Sequence, residues 1–134
     1  MTILNRKLTI DRDERGEFID LEPDPRHAQM VAEEAGCGHQ LKAVTTPREK
    51  QKDEVIRQSM KSSTLDSSRA TRFRSAVMRC NYLSQDRMDL CFAAKELSRH
   101  MSNPSEDDWN DLKRVARYLA GKPRVVQVFK RQKY

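Results

Sequence analysis

At 134 residues the chain is long enough for one domain, yet charged residues make up 34% and hydrophobic ones only 37%. Mean hydropathy is −0.88, so the core must be small, and the entropy lost on ordering the chain calls for economical packing or a partner surface. No run approaches the ~18 apolar residues of a membrane span, and no hydrophobic leader opens the chain. Cys37, Cys80 and Cys91 are odd in number and widely spaced, which excludes a disulfide framework and a CxxC metal pair. The expectation is a soluble intracellular protein of the cytoplasm or nucleus, with Cys80 and Cys91 as small core residues.

The net charge of +6 is unevenly placed. From Asp111 to Tyr134 eight basic residues face one Asp, a local charge of +7, and the first 110 residues sum to about −1. Clustered positive charge suits a polyanion, because each phosphate neutralised releases condensed counterions. A solvated, solubilising surface is the plainer alternative.

In chain order, Leu4 to Ile10 and Glu17 to Leu21 read as two short strands, with 11–16 as the hairpin loop. Ile3, Leu8, Ile10 and Phe18 form an apolar side that wants a sheet or helix to cover it. Asp24-Pro25 then opens a helix, with Asp as N-cap and Pro at its first position. Ala28, Val31, Ala32 and Ala35 are its stripe, and Gly36 closes it. His27, in its first turn, reads as a surface or packing residue. His39 to Pro47 is an extended connector. Arg48 to Ser68 is a polar linker, with local helix around Asp53 to Met60.

Three amphipathic helices follow. Ala70, Phe73, Ala76, Val77, Cys80 and Leu83 share one face of the first, while Arg72, Arg74 and Arg79 point elsewhere. Asp86 caps the second and Asp89 takes the N3 position of a capping box, with Leu90, Ala94, Leu97 and Met101 as the stripe. Ser105 caps the third, whose first turn carries Glu106, Asp107 and Asp108. It buries Trp109, Leu112, Val115, Ala116 and Leu119 and ends at Gly121. Arg124 to Lys130 is a last strand. It has Val126, Val128 and Lys130 on one face, Val125, Gln127 and Phe129 on the other, and no evident neighbour. Strands without partners at both ends suggest a piece of a longer fold.

Catalytic chemistry is hard to find. Asp107-Asp108 is the only adjacent carboxylate pair suggestive of two-metal catalysis, and it occupies a helix first turn, where acids are expected for dipole reasons. Four glycines give no phosphate-cradling loop. Ser, His and Asp are scattered, and Cys37-Gly38-His39 has too few ligands nearby for zinc.

A set of ordered motifs carries a family likeness. It comprises Arg72-x-Arg74-Ser75-x-Val77, Asn81-Tyr82-Leu83, Asp86-Arg87-x-Asp89-Leu90 and Leu97 through Pro104. It continues with Trp109-x-x-Leu112-Lys113-Arg114-Val115-x-Arg117-Tyr118-Leu119-x-Gly121. With Ile3-Leu4-Asn5-Arg6, Asp24-Pro25-Arg26-His27-Ala28 and Val44-Thr45-Thr46-Pro47, it resembles the C-terminal part of the reverse transcriptase in copia-type LTR-retrotransposon polyproteins. The resemblance spans nearly the whole chain.

The resemblance implies a division into palm-end hairpin and first thumb helix (1–47), polar linker (48–68), and three-helix thumb or connection segment with a terminal strand (69–134). The family's Tyr-x-Asp-Asp metal-binding hairpin has no counterpart here, nor does its ribonuclease H domain. Met88 stands where the family usually has proline, and Arg48 where glycine is common. The expectation is therefore a truncated α+β piece with an N-terminal hairpin, about four helices and a C-terminal strand. It would have no catalytic residues, no metal site and no cofactor of its own, although the parent polymerase would use Mg²⁺ and deoxynucleotides. Its partners would be a template–primer duplex of RNA or DNA and the remaining palm, fingers and ribonuclease H portions, with no membrane. Arg74, Arg79, Lys113, Arg114 and Arg117 are the candidate contacts to the nucleic-acid backbone, which position without reading sequence. The competing expectation is a helical protein-interaction module using exposed apolar surface.

Overall fold

The computed structural model describes residues 1–37, 42–48 and 63–132. The α+β expectation holds. One four-stranded antiparallel sheet of order β1-β2-β3-β4 is built from β1 (Thr2–Ile3), β2 (Arg6–Asp13), β3 (Gly16–Glu22) and β4 (Gln127–Lys130). The helices are α1 (Arg26–Glu34), α2 (Ser67–Ser84), α3 (Cys91–Ser98), which is preceded by a 3₁₀ turn at Met88–Leu90, and α4 (Glu106–Gly121). The expected local helix at Asp53 to Met60 lies outside the described residues.

The hairpin differs from its sequence reading in three respects. The strand expected from Leu4 begins at Arg6, because Leu4 and Asn5 adopt φ of 50° and 62°. Positive φ at both central residues is the turn that matches strand twist, and it adds the short β1. The loop expected over 11–16 shrinks to Glu14 and Arg15. Gly16 supplies φ of +124° and Asp13 Oδ1 accepts from the Arg15 amide at 2.7 Å. Asp11 and Arg12 instead pair with Phe18 and Glu17. That register also moves Phe18 off the Ile10 side, since Ile10 faces Ile19 and side chains alternate along a strand.

β4 does have a neighbour. It pairs with β3, Phe129 opposite Ile19 and Val128 opposite Asp20, so the expectation of an unpaired last strand is corrected. Its partner lies more than a hundred residues earlier, a pairing that local pattern cannot reveal.

The core sits among the helices. α1 follows Asp24, whose Oδ1 accepts from the Arg26 amide at 3.0 Å as an N-cap would. Ala28, Val31 and Ala35 are buried, and Gly36 ends the helix with φ of +71°. All six apolar positions expected on α2 are buried, as are the five expected on α4, with Tyr118 in addition. Asp66 caps α2 through the Arg69 amide, so Ser67 and Ser68, counted above with the linker, begin the helix. Just before it, Leu65 packs on the core and Thr64 bridges to Ser105. Arg48, at the other end of that stretch, pairs with Glu96 at 3.7 Å.

The second expected helix is the main departure. Asp86 does not cap it: Asp86 is buried and accepts from Arg6 Nε at 2.5 Å. Asp89 forms no capping box, but accepts from Arg87 and from the Tyr118 hydroxyl. The 3₁₀ turn delays α3 to Cys91 and rotates that residue outward, leaving Leu90, Ala93, Ala94 and Leu97 to fill the core. Cys91 is therefore exposed, against expectation, whereas Cys80 is fully buried. Met101 is half-buried against the same core.

Candidate nucleic-acid interface

Four of the five candidate cations divide among separate structural tasks. Arg74 donates from Nε to the Met101 carbonyl at 2.8 Å and holds the turn after α3. Arg79 donates to Glu34 Oε1 at 3.3 Å, joining α2 to α1 beside the Ser75 hydroxyl, which donates to the same oxygen. Arg114 donates to Thr46 Oγ1 at 3.0 Å and Arg117 to the Lys42 carbonyl at 2.7 Å. These last two clasp the 42–48 segment onto α4. Lys113 is exposed.

A different grouping emerges where the end of α1, the 42–48 segment and α4 meet. Trp109, Lys113 and Arg117 recur every four residues, so they share one side of α4. Lys113 and Arg117 lie close enough to Cys37 for their charge to oppose the upward push of burial on its thiol. Arg72 reaches the Glu33 carbonyl at 3.5 Å, and its guanidinium lies 5.7 Å from the Trp109 ring centre. Arg69 lies over the same indole at 5.0 Å but is neutralised by Glu106, whose carboxyl it holds below the usual range. Arg72, Lys113 and Arg117 thus form a cationic seam beside Trp109 and Cys37, with the Lys42 backbone at its edge. At its closed end Gly121 lets the 42–48 segment approach, since a Cβ there would sit 2.8 Å from the Ala43 Cβ.

Sequence reasoning missed one member of the seam, Arg72. In the helical pattern Arg72 points away from the core just as Arg74 and Arg79 do, so spacing alone does not single it out. It also missed Arg87, which is 1% exposed and donates to Asp89 Oδ2 at 2.8 Å and to the Lys122 carbonyl at 2.7 Å.

The seam has donors but no reacting pair. Asp108 is occupied by the capping box, accepting from the Ser105 amide and hydroxyl at 2.8 Å each, and lies 3.2 Å from His100 Nδ1. Asp107 is exposed. His27 packs its ring 4.6 Å from that of Tyr82. Among the described residues, no group of three or more His, Cys, Asp or Glu could hold a metal ion. No helix among them is long and apolar enough to cross a membrane.

No family model matches the chain, and no solved structure matches it. Over 53 residues, 40% of its length, it is 49% identical to the Retrovirus-related Pol polyprotein from transposon RE2 of Arabidopsis thaliana. It is 42% identical over 53 residues to the Retrovirus-related Pol polyprotein from transposon RE1 of the same plant. The chain spans about 4% of the length of these curated relatives. Over that stretch it is similar to retrotransposon Pol polyproteins.

Proposed function

We propose that the chain is part of the reverse transcriptase region of a retrotransposon Pol polyprotein, is not catalytic by itself, and binds template–primer duplex without sequence preference. The similarity to two Pol polyproteins supports the first element. The order of motifs from Arg72 to Gly121 supports the assignment to the reverse transcriptase. The binding role rests on one observation, the seam of Arg72, Lys113 and Arg117. These are point charges and guanidinium forks beside an aromatic ring, suited to phosphate oxygens and indifferent to bases. In the whole polymerase, Mg²⁺ and the aspartates that bind it would be supplied by another part of the polyprotein.

The test is fluorescence anisotropy with a labelled RNA–DNA duplex over a salt series. About three or four phosphate contacts give a slope of log K against log salt near −3. Changing Arg72, Lys113 and Arg117 together to Gln should flatten that slope. Arg79→Gln, which removes the bond to Glu34, should leave the slope in place and lower stability. Binding that ignores salt, or that survives the triple change, rules the reading out.

A protein-interaction role is the second reading. Met88 and Phe92, 74% and 65% exposed and one turn apart, favour it. Capture of a protein partner at high salt, without duplex binding at low salt, would select it.

A further inference from the structure

Of the five prolines in the chain, only Pro47 follows a serine or threonine. Thr46-Pro47 lies in the 42–48 segment, which runs along α4. Val44 packs on the core and holds the segment there, while Thr45 and Thr46 are exposed. Pro47 restricts Thr46 to extended backbone, the form in which a protein kinase takes its substrate. A cation already addresses the Thr46 oxygen. Arg114 donates to Thr46 Oγ1 at 3.0 Å, and Arg117, one turn further along α4, donates to the Lys42 carbonyl at 2.7 Å. A guanidinium fork matches a phosphate far better than a hydroxyl.

We propose that Thr46 is a phosphorylation site of a proline-directed protein kinase, its phosphate held by Arg114 on the cationic side of α4. In the transfer, the Thr46 oxygen bonds to the γ-phosphorus of ATP. The bond from that phosphorus to the β-bridging oxygen breaks, ADP leaves, and the hydroxyl proton passes to the base of the kinase. The product carries about −1.5 to −2 charge and three strong acceptor oxygens. Arg114 then donates to a phosphate oxygen, a charge-assisted bond about twice as strong as a neutral one. Asp111 is the only acidic residue of α4 beyond its first turn, so Lys113, Arg114 and Arg117 outnumber the acids on this part of the helix. Thr45, also exposed, has no proline after it and is the natural control.

A functional consequence rests on the binding role proposed above. The phosphate occupies Arg114 and sets negative charge near Lys113 and Arg117, so the modified chain should hold duplex more weakly.

Incubation of the full chain with a purified proline-directed kinase, Mg²⁺ and ATP, followed by peptide mass spectrometry, tests the site. A single phosphate on Thr46 is expected, lost in Thr46→Val and retained in Thr45→Val. No incorporation, or incorporation that Thr46→Val leaves intact, overturns the proposal. A ³¹P NMR titration of the modified chain tests the hold. Free phosphothreonine takes up its second proton near pH ~6. Arg114 should keep that midpoint about one pH unit lower, and Arg114→Gln should return it. A midpoint that Arg114→Gln does not move overturns the assignment. Should that variant fail to melt cooperatively, hydrogen exchange of the unaltered sequence decides. Protection gained at 43–46 on phosphorylation supports the hold, and none gained overturns it.

Duplex anisotropy separates this proposal from the binding role. Where the unmodified chain binds, phosphorylation should weaken binding about fivefold or more at low salt. Equal binding by the two forms places the phosphate away from the seam and overturns the proposal. If the unmodified chain binds no duplex, the binding role fails alone, and incorporation and the ³¹P midpoint still decide the site.

Discussion

The Tyr118 hydroxyl on α4 donates to Asp89 Oδ2 at 2.5 Å, and the same oxygen accepts from Arg87. The Arg87 guanidinium also lies 5.9 Å from the Tyr118 ring centre and donates to the Lys122 carbonyl. The entry to α3 is thereby fastened to the end of α4, a few residues before the chain returns to the sheet.

The partners in this network are unequal. Asp89→Ala leaves the guanidinium of Arg87, 1% exposed, buried without its counter-charge, and should cost about 3 kcal/mol. Arg87→Met should cost less, because Asp89 is 27% exposed and can rehydrate. Tyr118→Phe removes one hydrogen bond and should cost about 1 kcal/mol. Urea unfolding of the three variants checks the order, and an Arg87→Met loss exceeding that of Asp89→Ala would contradict it.

Acid should unfold the protein through a small set of carboxyls. The hydrogen bond from Arg26 holds Asp24 below its usual range against the effect of burial. Arg124 does the same for Glu22. At Asp89, burial pushes up, and the bonds from Arg87 and Tyr118 together outweigh it. A lowered folded pKa means the unfolded state takes up protons first. The contribution is complete above about pH 4–4.5 and is lost as pH falls through the folded values. Urea midpoints measured from pH 6 to pH 2 should therefore decline on the acid side, and Asp24→Asn should flatten that decline.

The thiols should react in a fixed order. Cys91 is exposed and Cys37 half-buried, while Cys80 is fully buried with its thiol pushed up to about 12 by burial. Because the thiolate is the reactive form, a disulfide reagent at neutral pH should modify Cys91 first, Cys37 more slowly, and Cys80 only on unfolding. Prompt labelling of Cys80 in the folded protein would refute the packing of α2.

Gly121→Ala sets helix preference against a close approach. Alanine gains about 1 kcal/mol in a helix, but its methyl would meet the Ala43 side chain at 2.8 Å. The 42–48 segment should shift locally at Ala43, while Arg114, Arg117, the Arg48–Glu96 pair and Val44 on the core hold the rest of it. Overall stability should then change by less than about 1 kcal/mol, with hydrogen-exchange protection lost at 42–46. Unchanged protection there would mean that the segment accommodates the methyl.

Ser105→Ala should cost about 1 kcal/mol, since the Ser105 hydroxyl and the Asp108 carboxylate satisfy donors at the start of α4 reciprocally. Thermal melts of Ser105→Ala, Asp108→Ala and the double variant should show losses that do not add, because both changes break one unit.

The sequence by itself determined the apolar faces of two core helices, α2 and α4. On α2 and α4 the apolar spacing, the Ser105 cap and the acidic first turn name every expected buried position, because helix period and capping act within a few residues. The tertiary structure decided what depends on distant partners. β4 finds β3, Asp86 turns from capping to Arg6, and Asp89 turns to Arg87 and Tyr118. Cys91 leaves the core because the 3₁₀ turn shifts the helix behind it. The cationic side chains show the same division. Their number and clustering are legible in the chain, but whether an arginine clasps a loop or faces solvent depends on which carbonyls folding brings within about 3 Å of it.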